Sequence, residues 1–282
     1  MRLALRIEVA TDEGARKGVP ALLRLLDQYQ VKASFLLSLG PDFSRYPLSN
    51  RMPGWLLHRL PTTYIGNRNR ATLRSIAGDG HEVGISAYSA AAWNERVAFR
   101  PGEWTRYQVQ ASVDAFQVIF GEFPRFHGAR GWQINAHLLQ EEEVQGFGFA
   151  SDVRGLHPFL PELQGVRSTC PQIPVTLPTL DELHRQDGVN AENLHQYLYA
   201  ACQRVLPMGE VFSLSAEREG LELLPVFERL LVMWKGSQWE IRSLDDLYRE
   251  LKTRKLSCHR LGWTAVEGRQ EHVAMQSTQL DD

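Results

Sequence analysis

The chain has 282 residues, 43% hydrophobic, 10% aromatic and 23% charged, with 33 acidic against 31 basic side chains and a net charge of -2. This composition excludes disorder, collagen and coiled coil, and it supplies enough apolar material for a sizeable core. The near-neutral balance provides no general cationic field, so nucleic acid is a poor partner.

Residues 3–9 (LALRIEV) read as a strand, and Gly18, Val19 and Pro20 open a helix with Leu22, Leu23, Leu25 and Leu26 on an apolar stripe. Residues 31–38 (VKASFLLS) form the next strand, which makes a βαβ opening and points to a parallel sheet. The rhythm recurs with a helix at 70–77, a strand at 80–86 and a long helix at 105–120. Further strands are expected at 123–127, 147–151, 166–169, 210–215 and 240–241. Strands alternating with helices over this length predict an α/β fold, a distorted (β/α) barrel forming a single domain over residues 1–269. The polar stretch 270–282 lacks periodicity and reads as a frayed tail.

One insertion breaks the rhythm. Residues 43–78 contain no acid but carry Arg45, Arg51, Arg59, Arg68, Arg70 and Arg74 beside Trp55, Leu56, Leu57, Leu60 and Tyr64. That mixture suits an amphipathic segment on an anionic membrane surface, with Arg51, Trp55, Leu56, Leu57 and Arg59 as its contact residues. The plainer reading is a solvated helical lid. No apolar run reaches the roughly 18 to 20 residues of a membrane span, and Met1 leads into a strand without a signal-peptide core. Cys170, Cys202 and Cys258 form no CxxC pair, so a reducing compartment is expected. The expected location is cytoplasmic, peripheral at the inner face of the membrane.

A parallel barrel builds its site at the C-terminal ends of its strands. Those ends carry Glu8, Ser86, Tyr88, His127, Arg130, Trp132, Asp152, Arg154, Ser215 and Glu217. Asp152 and Arg154 most simply pair with each other; sugar or phosphate contact is the sharper reading. Arg130 and Trp132 suit a phosphate and a stacked sugar ring, or equally a solvated cation and a buried indole.

The strings at 5–42, GHEVGISAYSAAAW at 80–93, GARGW at 128–132, SDVRG at 151–155, PQIPVTLPTLDE at 171–182 and FSLSAEREG at 212–220 resemble the polysaccharide deacetylases of the NodB type. Within that family the resemblance is nearest to the deformylases that act on undecaprenyl-phosphate-linked formamido-arabinose in lipid A modification. It implies a C–N hydrolase with a divalent metal held by one Asp and two His, and a second acid as base. The matching positions hold Glu8 for the base, Ala10 for the metal Asp, and Ser86 and Ala90 for the two His. The general-acid His matches Ser215, and an Arg matches Gln133. No two of the nine histidines are spaced as HxxxH or HxxH, and His81 with Glu82 does not continue into HExxH. Without a metal, bound water returns from a pKa near 7 toward that of bulk water at about 15.7.

The expected function is therefore a catalytically degenerate deacetylase-like protein, without metal or cofactor, that binds or regulates a lipid-linked amino sugar. Two alternatives stand beside it: an active amide hydrolase using Glu8 with an atypical metal or none, and a structural partner of an intact deacetylase. A relocated site built from His127, Asp152, Glu217 and Glu8 is the remaining route to chemistry.

Overall fold

The computed structural model describes residues 1–46, 61–204, 206–251 and 253–281, apart from the side chain of Glu95. The strands are β1 (Arg2–Val9), β2 (Ser34–Leu37), β3 (Pro41–Asp42), β4 (Thr63–Tyr64), β5 (Glu82–Ile85), β6 (Phe126–His127), β7 (Phe149–Ala150), β8 (Leu160–Leu163), β9 (Val166–Arg167), β10 (Glu210–Ser215), β11 (Glu240–Arg242), β12 (Cys258–Thr264) and β13 (Val273–Gln279). The main sheet runs β10-β1-β2-β5-β6-β7 with every pairing parallel, and β11 lies beside the first half of β1. It is a curled α/β barrel, as the alternation of strands and helices predicted.

Alternation along β1 sets the two layers. Leu3, Leu5, Ile7 and Val9 join the large cluster under the surrounding helices, whereas Ala4 joins a second cluster with Leu36, Phe126, Phe149, Val175 and Val211 inside the barrel. By the same parity Arg6 and Glu8 point inward. Leu244, Leu247 and Leu251 of the helix Leu244–Leu251 belong to the interior cluster and close the bottom of the barrel.

The segment 171–177 closes the side. Ile173 N–H donates to the Ala150 carbonyl at 2.8 Å, and Thr176 and Leu177 N–H donate to the Val211 carbonyl at 3.1 and 3.2 Å. One extended stretch thus bridges β7 to β10. Thr176 is further bonded to the Glu210 carboxylate through its hydroxyl.

Helices occur where the apolar stripes placed them, at Val19–Gln28, Arg70–Gly78 and Gly102–Phe120. The acids Asp181 and Glu182 open the helix Leu180–His184, where Thr179 and Glu182 form a capping box. The C-terminal stretch departs from expectation: β13 pairs antiparallel with β12 in a second sheet, β13-β12-β8-β9. Met275 of β13 bridges Arg154, and this tertiary pairing orders a polar sequence that has no periodicity of its own.

Strands β3 and β4 pair at the base of the basic insertion. Arg68 and Arg45 lie 3.3 and 3.9 Å from the buried Asp12 carboxylate, and Arg74 donates to the Ile119 carbonyl. Arg51, Trp55, Leu56, Leu57 and Arg59 lie outside the described residues.

Candidate functional site at the strand ends

A cleft of about 450 Å³ opens at the C-terminal ends of β1 and β10. Of the residues singled out from the sequence, Glu8, Arg130, Trp132, Ser215 and Glu217 line it. Asn94, Glu182, Glu219 and Arg269 line it as well, and the sequence reading had not singled them out for the site. Arg269 arrives on the loop between β12 and β13, at the last residue of the expected domain and next to the stretch 270–282 read as a frayed tail.

Glu8 is tied down on both oxygens. The fully buried Arg6 donates to Oε1 at 2.5 Å and Arg130 to Oε2 at 3.3 Å. Arg6 also donates to Ser213 Oγ at 2.8 Å and to the Ala129 carbonyl at 3.3 Å. Burial alone raises the Glu8 pKa, but Arg6 and Arg130 outweigh it and hold the carboxyl below its ordinary value. A carboxylate so placed is a counter-ion and a weak base.

Glu217 stitches the β10 turn to the β1 turn. Its Oε1 accepts from Ala10 N–H at 2.8 Å, Thr11 N–H at 2.9 Å and the Thr11 hydroxyl at 3.1 Å. The chain after β1 runs as a π-helical turn, Gly14–Gly18, and Gly18 is required there: a Cβ would stand 1.9 Å from the Ala216 carbonyl oxygen. Glu219 accepts from Ser215 N–H at 2.7 Å, and burial pushes its pKa up to about 7 against that hydrogen bond.

The remaining expected residues face elsewhere. Ser86 is buried, its hydroxyl without a hydrogen-bond partner, and Tyr88 is half-buried against Tyr107. His127 does not reach the mouth, because Phe126 points into the barrel and strand alternation turns His127 outward to the helix Ala136–Gln145. There its Nδ1 lies 3.0 Å from Glu142 and 2.9 Å from Asp152. Burial lowers the His127 pKa, but the two carboxyls overcome this and raise it to about 9. Burial and Asp152 together raise that of Glu142, while His127 lowers that of Asp152 against its burial.

The expected Asp152–Arg154 pair is not formed. Arg154 instead takes both oxygens of Glu182 at 3.1 Å, and its guanidinium lies 4.7 Å from the centre of the Trp132 ring. The four residues His127, Asp152, Glu217 and Glu8 do not assemble: the first two are in the helix-side network, the last two in the cleft. His81 is a buried strand-start residue whose Nδ1 accepts from Ala33 N–H at 3.2 Å, and burial lowers its pKa to about 4.

A metal-hydroxide mechanism needs His and carboxylate donors around an open position. Ala10 and Ala90 offer methyl groups and Ser86 a single hydroxyl, so these positions do not fit such an ion. Among the described residues one group of three has donors close enough for a metal, His127, Glu142 and Asp152, and all three are buried. Asp152 is also held by Ala129 N–H at 2.6 Å and by Gln172 at 2.7 Å, which marks the group as a satisfied core network.

No protein-family model matches the chain. A probable 4-deoxy-4-formamido-L-arabinose-phosphoundecaprenol deformylase ArnD from Shewanella sediminis is 28% identical over 267 residues, covering 87% of this chain and 85% of its own. A probable polysaccharide deacetylase from Pseudomonas aeruginosa PAO1 shares the fold, with a TM-score of 0.64, 16% identity and coverage of 89% and 91%. The chain is similar in sequence to this deformylase and shares the fold of the polysaccharide deacetylases. The fold also superimposes on a CE4-family pseudoenzyme from Bacillus anthracis, with a TM-score of 0.56, 14% identity and coverage of 92% of this chain and 69% of the other. The fold expected from the sequence and the resemblance to this group of deformylases are thus both found.

Proposed function

We propose that this protein is a non-hydrolysing relative of the deacetylases that binds an amino-sugar conjugate in its strand-end cleft, within a lipid-linked amino-sugar pathway. The observation that carries this reading is the pairing of Glu8 with Arg6 and Arg130 beside Ala10, Ser86 and Ala90. The one surviving acid is occupied as a counter-ion, and the adjoining positions supply no ligand set. The cleft meanwhile remains open and polar, which supports retained binding.

No helix among the described residues is long and apolar enough to cross a membrane. A peripheral role at the inner membrane face rests on the basic composition of 43–78, and pairing with an intact deacetylase belongs to the same reading.

The test is calorimetric titration with N-formyl and N-acetyl amino sugars, run beside a turnover assay with added zinc, cobalt or manganese. Binding without amine release is the expected result. Amine release that disappears in Glu8→Gln would overturn the proposal in favour of an active hydrolase, and absence of both binding and turnover would leave only the partner role.

A further inference from the structure

At the opposite end of the sheet from the cleft, a cavity of about 160 Å³ lies where β5 and β6 begin, walled by the helices Arg70–Gly78, Gly102–Phe120 and Leu244–Leu251. Phe116, Phe120, Phe123 and Phe126 line it. Phe116 and Phe126 are buried, and Phe116 stacks on Phe120 with ring centres 4.4 Å apart. Gly121, with φ +80°, ends the long helix and reverses the chain, which leaves Phe123 at the rim, 63% exposed.

The polar part of the wall is acidic. The Ser34 and Ser243 hydroxyls donate to Glu82 at 2.6 and 2.7 Å, and Asp245 N–H donates to it at 3.0 Å. All three donors are neutral. Burial raises the Glu82 pKa against these hydrogen bonds, and the Asp245 charge raises it further. Asp245 is 3% exposed and accepts from Arg125 at 3.3 Å through Oδ1. Its Oδ2 is buried without a hydrogen bond, because Arg249, 2.7 Å away, lies outside hydrogen-bonding geometry. Glu122 brings a third carboxylate, and His81 is neutral, since burial lowers its pKa to about 4. Against these three acids the lining holds one cation among the described residues, Arg125. Looking further out does not restore the balance: Arg249 and Lys32 are met by Asp246 and Asp79. The cavity therefore holds an excess of negative charge in a largely apolar wall, a costly arrangement that a cation relieves.

The lining also selects the kind of cation. The Glu82 oxygens are already taken by donors, so they leave no coordination set for a hard metal ion, which takes about six or more oxygen ligands. Phenyl rings offer no hydrogen bonds, but they attract a cation that carries methyl groups in place of bound water. A space of about 160 Å³, against roughly 300–1,000 Å³ for drug-sized ligands, admits only a few heavy atoms.

We propose that this cavity binds a small alkylated ammonium ion, held by the rings of Phe116, Phe120 and Phe123 and by the carboxylates of Glu82 and Glu122. The site lies outside the strand-end cleft, and the sugar-binding reading of that cleft has no bearing on it.

The experiment is calorimetric titration of the full chain with choline, 3,3-dimethylbutan-1-ol and guanidinium at fixed ionic strength. The alcohol has the shape of choline without its charge. Choline should bind about tenfold tighter than either, and it should shift the NMR signals of the His81 ring. Phe123→Ala and Glu82→Gln should each weaken choline binding by about fivefold or more. If Glu82→Gln fails to fold, the exposed Glu122→Gln takes its place with the same expectation. Tyr197→Ala, which removes an exposed ring outside the cavity, should leave binding unchanged. Equal affinity for choline and the alcohol overturns the proposal, as does choline binding undiminished in both the Phe123 and the glutamate variants. Guanidinium binding as tightly as choline overturns the ammonium assignment and points instead to an arginine side chain of a partner protein.

Discussion

Arg6 and Glu8 sit two residues apart on the same inward face of β1, and the guanidinium of the first donates to the carboxylate of the second inside the barrel. The pair makes Glu8 a structural anion. Glu8→Ala should therefore destabilise the fold by about 3–5 kcal/mol, the usual result of leaving a buried charge without its partner. Glu8→Gln should cost less, since its amide oxygen still accepts a hydrogen bond. Urea unfolding measures both, and an alanine variant as stable as the parent would show that Arg6 finds its compensation elsewhere.

Rebuilding a ligand set follows from the same positions. The combined replacements Ala10→Asp, Ser86→His and Ala90→His should give a chain that retains zinc through buffer exchange, with elemental analysis as the measurement. A folded variant that gains no zinc would mean that the three backbone positions do not converge.

The network around His127 predicts how stability depends on pH. Its folded pKa of about 9 lies above the ordinary 6.5, so its contribution is fully present below pH 6.5 and is lost as pH rises through 9. The raised Glu142 pKa acts in the same direction, because the folded state again holds the proton more tightly. The His127 part is on the order of 3 kcal/mol. His127→Gln should flatten the decline between pH 6.5 and 9.5 seen by thermal or denaturant unfolding; an unchanged slope would locate the proton elsewhere.

Glu219 titrates in a lower window. A folded pKa near 7 against the ordinary 4.5 means that the buried carboxyl loses stability as pH climbs from 4.5 to 7, with no further change above. Glu219→Gln should gain on the parent by about 2–3 kcal/mol between pH 4 and pH 8. Equal differences at the two pH values would refute a buried proton at this position.

Much of the barrel was legible because its strands carry their own pattern. In β1 the apolar residues alternate with Ala4, Arg6 and Glu8, and β2 and β10 are short apolar runs between turns. Strands β8, β12 and β13 were not, since sequences such as Gln276, Ser277, Thr278 and Gln279 become a strand only through their neighbours. The site was legible where a strand end could be located, at Glu8, Ser215 and Glu217. It was illegible where facing mattered, at His127, and where a distant loop contributes, at Arg269. Nothing local in LRIEV signals that Arg6 is fully buried, because burial of a cation depends on Glu8, Ser213 and Ala129 converging on it.

The seam between β1 and β10 joins Leu3 to Glu210 and Glu8 to Ser215. The first strand made must therefore wait for about 200 further residues, roughly 10–40 s of synthesis, before that edge is covered. During the interval β1 presents an unpaired apolar edge, and Arg6 lacks the Ser213 hydroxyl that later receives it. Folding of this chain is thus committed late, and a nascent chain stalled before β10 would be a substrate for chaperones and for aggregation.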